Sequence, residues 1–124
     1  MTSDDALAKT LLELDTLLGH PTRFAIVTVL FALGPMTIGD LAKALRLSYG
    51  PLSTHLRRLE EAGYVEHKKV LTLKGPRTLV SLTPEGARAY VEHVEKLKSV
   101  IGAVMSYSQE RRRLEGNRKG EVTS

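Results

Sequence analysis

The order of apolar and polar positions divides the chain into five helical stretches and one hairpin. Leu7, Leu11, Leu14 and Leu18 recur at spacings of four, three and four, with charged and polar residues between them. That spacing predicts an amphipathic helix over residues 4–18, stopped at Gly19, whose leucine stripe needs a partner. His20-Pro21 opens a second helix, with His20 as its cap and Pro21 in the first helical position. Phe24, Ile26, Val27, Val29, Leu30 and Leu33 make this helix apolar almost all round, which predicts a central, buried element. Gly34-Pro35 ends it, and Met36 adds one extended residue. Thr37 with Asp40 then reads as a variant capping box that opens a short helix from Ile38 to Leu45.

Arg46-Leu47-Ser48 is a tight connection to a further helix over about residues 48–63, capped by Ser48 or Gly50 and ended by Gly63. Leu52, Leu56 and Leu59 fall on one face of it. Two short helices joined in this way predict a helix-turn-helix. Tyr64 to Val70 and Arg77 to Leu82 read as the strands of a hairpin, with Gly75-Pro76 marking the tip. Thr83-Pro84-Glu85 is a strong helix start leading into a long helix to about Arg113. Such a helix is ~46 Å long, more than a domain of this size is thick. Its Ala87, Tyr90, Val94, Leu97, Ile101 and Val104 form a coiled-coil-like seam too short to stand alone. Dimerisation is the economical way to cover it, with Leu7, Leu11, Leu14, Leu18, Tyr90, Val94, Leu97, Ile101 and Val104 as the expected interface. The expected organisation is an N-terminal dimerisation helix (1–19), a core (20–82), a long C-terminal dimerisation helix (83–113) and a basic, flexible tail (114–124).

Composition narrows the chemistry. The chain has 124 residues, near the usual size of one domain, with no cysteine, so disulfides, thiolate metal sites and cysteine nucleophiles are excluded. No apolar run approaches the ~20 residues that span a bilayer, and the expected location is the cytoplasm. Asn and Gln occur once each, a depletion that fits a thermophilic source. The net charge of +4 is unevenly spread: residues 46–77 carry seven basic groups against three acidic, and residues 111–124 carry five against two. A basic concentration on an otherwise neutral domain is the electrostatic footprint of a phosphate-binding surface, although a solvated face has the same composition.

With Leu52, Leu56 and Leu59 turned inward, the opposite face of their helix carries Gly50, Ser53, Thr54, Arg57, Arg58 and Glu61. Arg can bind guanine through two hydrogen bonds, Ser and Thr serve bases or phosphates, and Gly50 permits close approach to the backbone. His55 lies at the edge of that face, either touching a phosphate or filling the boundary beside Ala62. The expected DNA contacts are Ser48, Tyr49, Gly50, Ser53, Thr54, His55, Arg57 and Arg58 on the helix. Lys68, Lys69, Lys74 and Arg77 are those on the hairpin, with Arg77 directed to the minor groove or an adjacent phosphate.

His20-Pro21-Thr22-Arg23, the run Leu56-Arg57-Arg58-Leu59-Glu60-Glu61-Ala62-Gly63-Tyr64-Val65, and Pro76-Arg77-Thr78 followed by Leu82-Thr83-Pro84-Glu85-Gly86 carry a family resemblance. They resemble the small prokaryotic, archaeal-type winged helix-turn-helix regulators related to the ArsR and MarR groups, over roughly residues 7–100. The resemblance implies a mainly α fold with a small β-hairpin wing. It also implies control of transcription by a homodimer, a repressor on double-stranded DNA, and no enzyme activity.

Other chemistry finds no candidates. His20, His55, His67 and His93 fall on different elements, and Glu92-His93 with Glu95 reads as a helix surface, so no metal is expected. Nucleotide-binding and acyl-transfer motifs are absent, and no cofactor is expected. Two alternatives stay open: a winged-helix module that binds a protein partner, and a sensor responding to a ligand or metal between the first and last helices.

Overall fold

The computed structural model describes the backbone of residues 3–123 and the side chains of residues 5–117. The chain divides into two compact units, Asp15–His93 and Met1–Leu14 with Val94–Ser124. The elements are α1 (Ser3–Leu12), α2 (Pro21–Leu33), β1 (Met36–Thr37), α3 (Ile38–Leu45), α4 (Tyr49–Glu61), β2 (Val65–Thr72), β3 (Gly75–Leu82) and α5 (Pro84–Thr123). The fold is mainly helical with a small antiparallel sheet of order β1-β3-β2.

In the Asp15–His93 unit, Leu18, Ile26, Val27, Leu30, Leu41, Leu52, Leu56, Leu59, Val65 and Val80 form one buried cluster. The helix-turn-helix and the base of the hairpin therefore share a core. His20 caps α2 as expected, its Nδ1 accepting from the Thr22 amide at 3.1 Å. α2 buries Ile26, Val27 and Leu30, but it is less enclosed than its composition suggests, because Phe31 and Leu33 in its last turn are exposed. Thr37 caps α3 by accepting from the Asp40 amide at 3.1 Å. Met36 and Thr37 form a two-residue third strand pairing with Val80 and Leu79.

The first helix is shorter than its leucine period. It ends at Leu12, and Asp15 Oδ1 accepts from the amides of Leu17 and Leu18 at 2.8 and 3.0 Å. A side chain that takes these backbone donors stabilises a turn in place of helix. Leu18 is consequently wholly buried in the core and is not on a dimer surface. The hairpin, in turn, is longer than expected: β2 runs to Thr72 and β3 starts at Gly75, whose φ of +100° is open to glycine at no steric cost.

The junction of α4, the hairpin and α5 is built around Thr83. α4 closes through Gly63 at φ +80°, with Gly63 N donating to Glu60 O (2.9 Å) and Tyr64 N to Leu59 O (2.9 Å). These two bonds are those of a Schellman motif. Thr83 Oγ1 donates to Gly63 O (2.5 Å) and accepts from Gly86 N (2.9 Å), while Thr83 N donates to Tyr64 O (3.0 Å). Thr83 thus caps α5 and fastens it to the end of α4. Gly86 is buried here, and a Cβ on it would lie 2.1 Å from the Tyr64 carbonyl oxygen.

α5 is helical through Thr123, so the stretch expected as a flexible tail continues the helix. In the unit formed by the chain ends, α1 lies beside α5, with Ala6, Leu7, Thr10, Ser99, Val100 and Ala103 around a shallow cleft. Lys96 Nζ donates to Glu13 O at 2.9 Å in the same unit.

Candidate nucleic-acid interface

The inward stripe of α4 fixes what its other face presents. Leu52, Leu56 and Leu59 are at most 1% exposed, and Gly50, Ser53, Thr54, Arg57, Arg58 and Glu61 all lie on the exposed side. Glu60 Oε2, on the same helix, lies 2.9 Å from His67 Nδ1 of β2. Thr54 Oγ1 donates to Gly50 O at 3.2 Å, so its hydroxyl has acceptor capacity left for a ligand. Ser48 is the N-cap of α4 with extended backbone but makes no side-chain capping bond. Its hydroxyl is therefore not spent on the positive end of the helix, and Ser48, Tyr49 and Gly50 there are all exposed.

His55 is half-buried and packs on the His20 ring with centroids 4.7 Å apart, not on Ala62, which is exposed. Burial, reinforced by His20, Arg23 and Arg58, lowers its pKa below the usual imidazole value. The lowered pKa favours the neutral ring, which meets phosphate as a hydrogen-bond donor and not as a cation. Arg23 meanwhile donates from Nε to Leu17 O at 2.7 Å, which explains its place in the His-Pro-Thr-Arg run as a tie between α2 and the preceding turn.

On the hairpin, Lys68, Lys69, Lys74 and Arg77 are all exposed. Alternation along β2 puts Lys68 and Lys69 on opposite faces of the sheet. Lys69 stands opposite Thr78 and Val70 opposite Arg77. Arg77 Nη1 donates to Pro76 O at 2.8 Å, which folds the guanidinium back along the strand. A groove of about 550 Å³ separates the wing from the start of α3, lined by Thr37, Gly39, Tyr49, Lys69, Arg77 and Thr78 among others. Tyr49 is two-thirds exposed at its edge.

Thr37, Ile38 and Gly39 were not among the expected site residues. Only the β1–β3 pairing brings the first turn of α3 beside Lys69 and Arg77, and a two-residue strand has no periodicity to reveal it. Arg46 was also passed over. It is exposed at the turn between α3 and α4 with φ +54°, a left-handed conformation uncommon outside glycine. Its amide donates to Ala42 O and Lys43 O, closing α3.

Of the expected dimer residues, Tyr90 is engaged within the Asp15–His93 unit. Its hydroxyl donates to Thr28 Oγ1 at 2.9 Å and its ring stacks on Phe24 at 5.6 Å. Leu7, Leu14, Val94 and Leu97 are half-buried, whereas Leu11, Ile101 and Val104 are 47–60% exposed. His93, expected on the surface, is buried against Phe24 with ring centroids 5.5 Å apart. Arg111, Arg112 and Arg113 are exposed, with Arg113 paired to Glu110 at 2.6 Å; the side chains of Arg118 and Lys119 lie outside the described residues. Among the described residues no cluster of His, Asp and Glu could hold a metal ion, and no helix is long and apolar enough to cross a membrane.

Comparison with known proteins agrees with this geometry. The family model for a winged helix DNA-binding domain matches residues 22–101. An uncharacterized protein of Methanocaldococcus jannaschii is 31% identical over 75 residues, covering 60% of this chain and 82% of the relative. The structure of a transcriptional regulator homologue from Pyrococcus horikoshii OT3 superposes with a TM-score of 0.72 at 30% identity, covering 80% of this chain and 97% of that one. A MarR-family regulator structure from Enterococcus faecalis V583 shares the fold, with a TM-score of 0.59 at 24% identity over 91% of this chain and 94% of that one. The α4 face, the basic wing and the matched residues lead to one assignment: the chain belongs to the winged helix DNA-binding domain family and is a transcriptional regulator, not an enzyme.

Proposed function

We propose that the protein is a cytoplasmic homodimeric repressor that binds a specific double-stranded DNA site. In this reading α4, with its flanks at 48–63, enters the major groove, and the wing, 64–82, follows the backbone or minor groove. The observation that carries it is the exposed face of Gly50, Ser53, Thr54, Arg57 and Arg58 on α4, set in one compact unit with the exposed lysines and arginine of the wing. Arg57 and Arg58 are the base-reading candidates, and Ser48, Tyr49, Lys69, Lys74 and Arg77 serve phosphates. The groove lined by Thr37, Gly39, Lys69 and Arg77 suits a backbone phosphate, because an α-helix start and two cations converge on it.

The uncovered Ile101, Val104, Met105 and Leu114 of α5 support self-association. A two-fold dimer would set two recognition helices about one DNA turn, ~34 Å, apart and occlude a promoter. The test is a fluorescence-anisotropy titration of a fragment from upstream of the protein's own gene against a shuffled copy, at low and moderate salt. Tighter binding to the native fragment that survives moderate salt is the expected result. Absence of binding at both salts would transfer the assignment to a protein-interaction module.

A further inference from the structure

The tip of the wing carries a feature that phosphate contact does not use. Leu71 is 84% exposed and Leu73, in the turn, is fully exposed, two large apolar side chains at the far end of a hairpin whose base is buried. They are not on a slack loop. Thr72 Oγ1 donates to Gly75 O at 2.7 Å and accepts from the Lys74 amide at 3.2 Å, which braces the turn from within. Leu71 stands opposite Pro76, so the apolar surface continues across to the second strand.

The surroundings select the partner. From His67 to Val80 there is no acidic residue, and Lys68, Lys69, Lys74 and Arg77, all exposed, flank the two leucines along the hairpin. An apolar tip on a cationic hairpin matches a narrow recess between anionic walls, where the leucine meets the edge of the base stack and the cations meet the phosphates. The minor groove of duplex DNA is such a recess, about 6 Å wide between phosphate rows. Two strands with backbones about 4.7–4.9 Å apart are too wide to enter it side by side, so only single side chains at the turn, Leu73 first, reach in.

We propose that Leu73, supported by Leu71, is an apolar wedge that presses on the base stack through the minor groove and bends the DNA toward the major groove. The proposal rests on the DNA-binding reading above and adds deformation of the duplex to it. Apolar side chains pushed between base steps partly unstack them, at least cost where a pyrimidine precedes a purine. The wing then contributes sequence preference at a step to which it makes no hydrogen bond.

The test uses the full chain and a duplex that it enriches from a random-sequence pool, labelled at both ends for energy transfer and carrying 2-aminopurine at steps beneath the wing. The wild type is expected to bend the duplex by at least about 20° and to brighten 2-aminopurine at one step. The double variant Leu71→Ser, Leu73→Ser alters only exposed side chains, and an unchanged melting curve checks its fold. It should bind about five- to tenfold more weakly and lose both bend and brightening. Lys69→Ala should weaken binding yet keep the bend. Tight binding by the wild type without a bend, or a bend that survives in the serine variant, would overturn the wedge and leave DNA binding standing. Failure to enrich any duplex would overturn the DNA-binding reading and the wedge with it.

Discussion

The Tyr64 hydroxyl donates to Asp15 Oδ2 at 2.6 Å and moves the two groups in opposite directions. Burial alone would raise the Asp15 pKa, but the hydrogen bonds from Tyr64, Leu18 and Leu17, with His93 nearby, outweigh it and hold the carboxyl below its usual range. Burial and the same bond push Tyr64 up to about 12. The signs follow by linkage. Asp15 contributes stability that is present above about pH 4 and lost as pH falls through its lowered value. Tyr64 contributes stability that is present below about pH 10 and lost as pH rises through its raised one. Tyr64→Phe should cost about 1–2 kcal/mol at neutral pH. In melts from pH 7 to 12 it should lack the part of the alkaline decline that the wild type owes to the phenol. Gly86→Ala is a harsher change, since its methyl meets the Tyr64 carbonyl. A loss of about 3 kcal/mol is expected in thermal melts, and an unchanged melting temperature would refute the crowding. The Thr-Pro-Glu-Gly start was legible as a helix opening, but the demand for glycine was not, because the obstructing carbonyl lies across the hairpin.

Helix α4 and the wing divide the labour of binding in the proposed function, and substitution separates them. Arg57→Ala should relax base preference in a competition assay, by about 1–3 kcal/mol of discrimination at one base pair. Lys69→Ala should weaken binding to all sequences and lower the slope of log affinity against log salt by about one. His55→Gln at pH 7.5 should leave that slope unchanged, because burial favours the neutral imidazole. The elements themselves were largely readable from periodicity: the buried stripe Leu52, Leu56 and Leu59 is where the spacing put it. Failures came where one side chain outranked a period. Asp15 took the amides that would have carried α1 on to Leu18, and Gly75, not the Gly-Pro pair as a broad loop, closed a longer hairpin. His93 was hidden for a similar reason, as a polar residue between glutamates whose burial against Phe24 depends on a helix remote in sequence.

For the molecule as a whole, self-association is the property that Ile101 and Val104 should govern. On the proposed dimer, the wild type should sediment as a dimer at micromolar concentration and Ile101→Glu with Val104→Glu as a monomer; a monomeric wild type would overturn self-association, and a dimer unchanged in the variant would place the interface elsewhere. A continuous α5 contributes to both compact units, and no break in its sequence marks the change. The single hydroxyl of Thr83 has a further consequence. It joins the last turn of α4 to the first turn of α5 through Gly63 and Gly86. The amides of Gly63, Tyr64, Thr83 and Gly86 therefore open together, and in hydrogen exchange they should share one opening free energy and form one cooperative unit. Replacing Thr83 by valine should split that unit, letting the end of α4 exchange independently of the long helix that follows it.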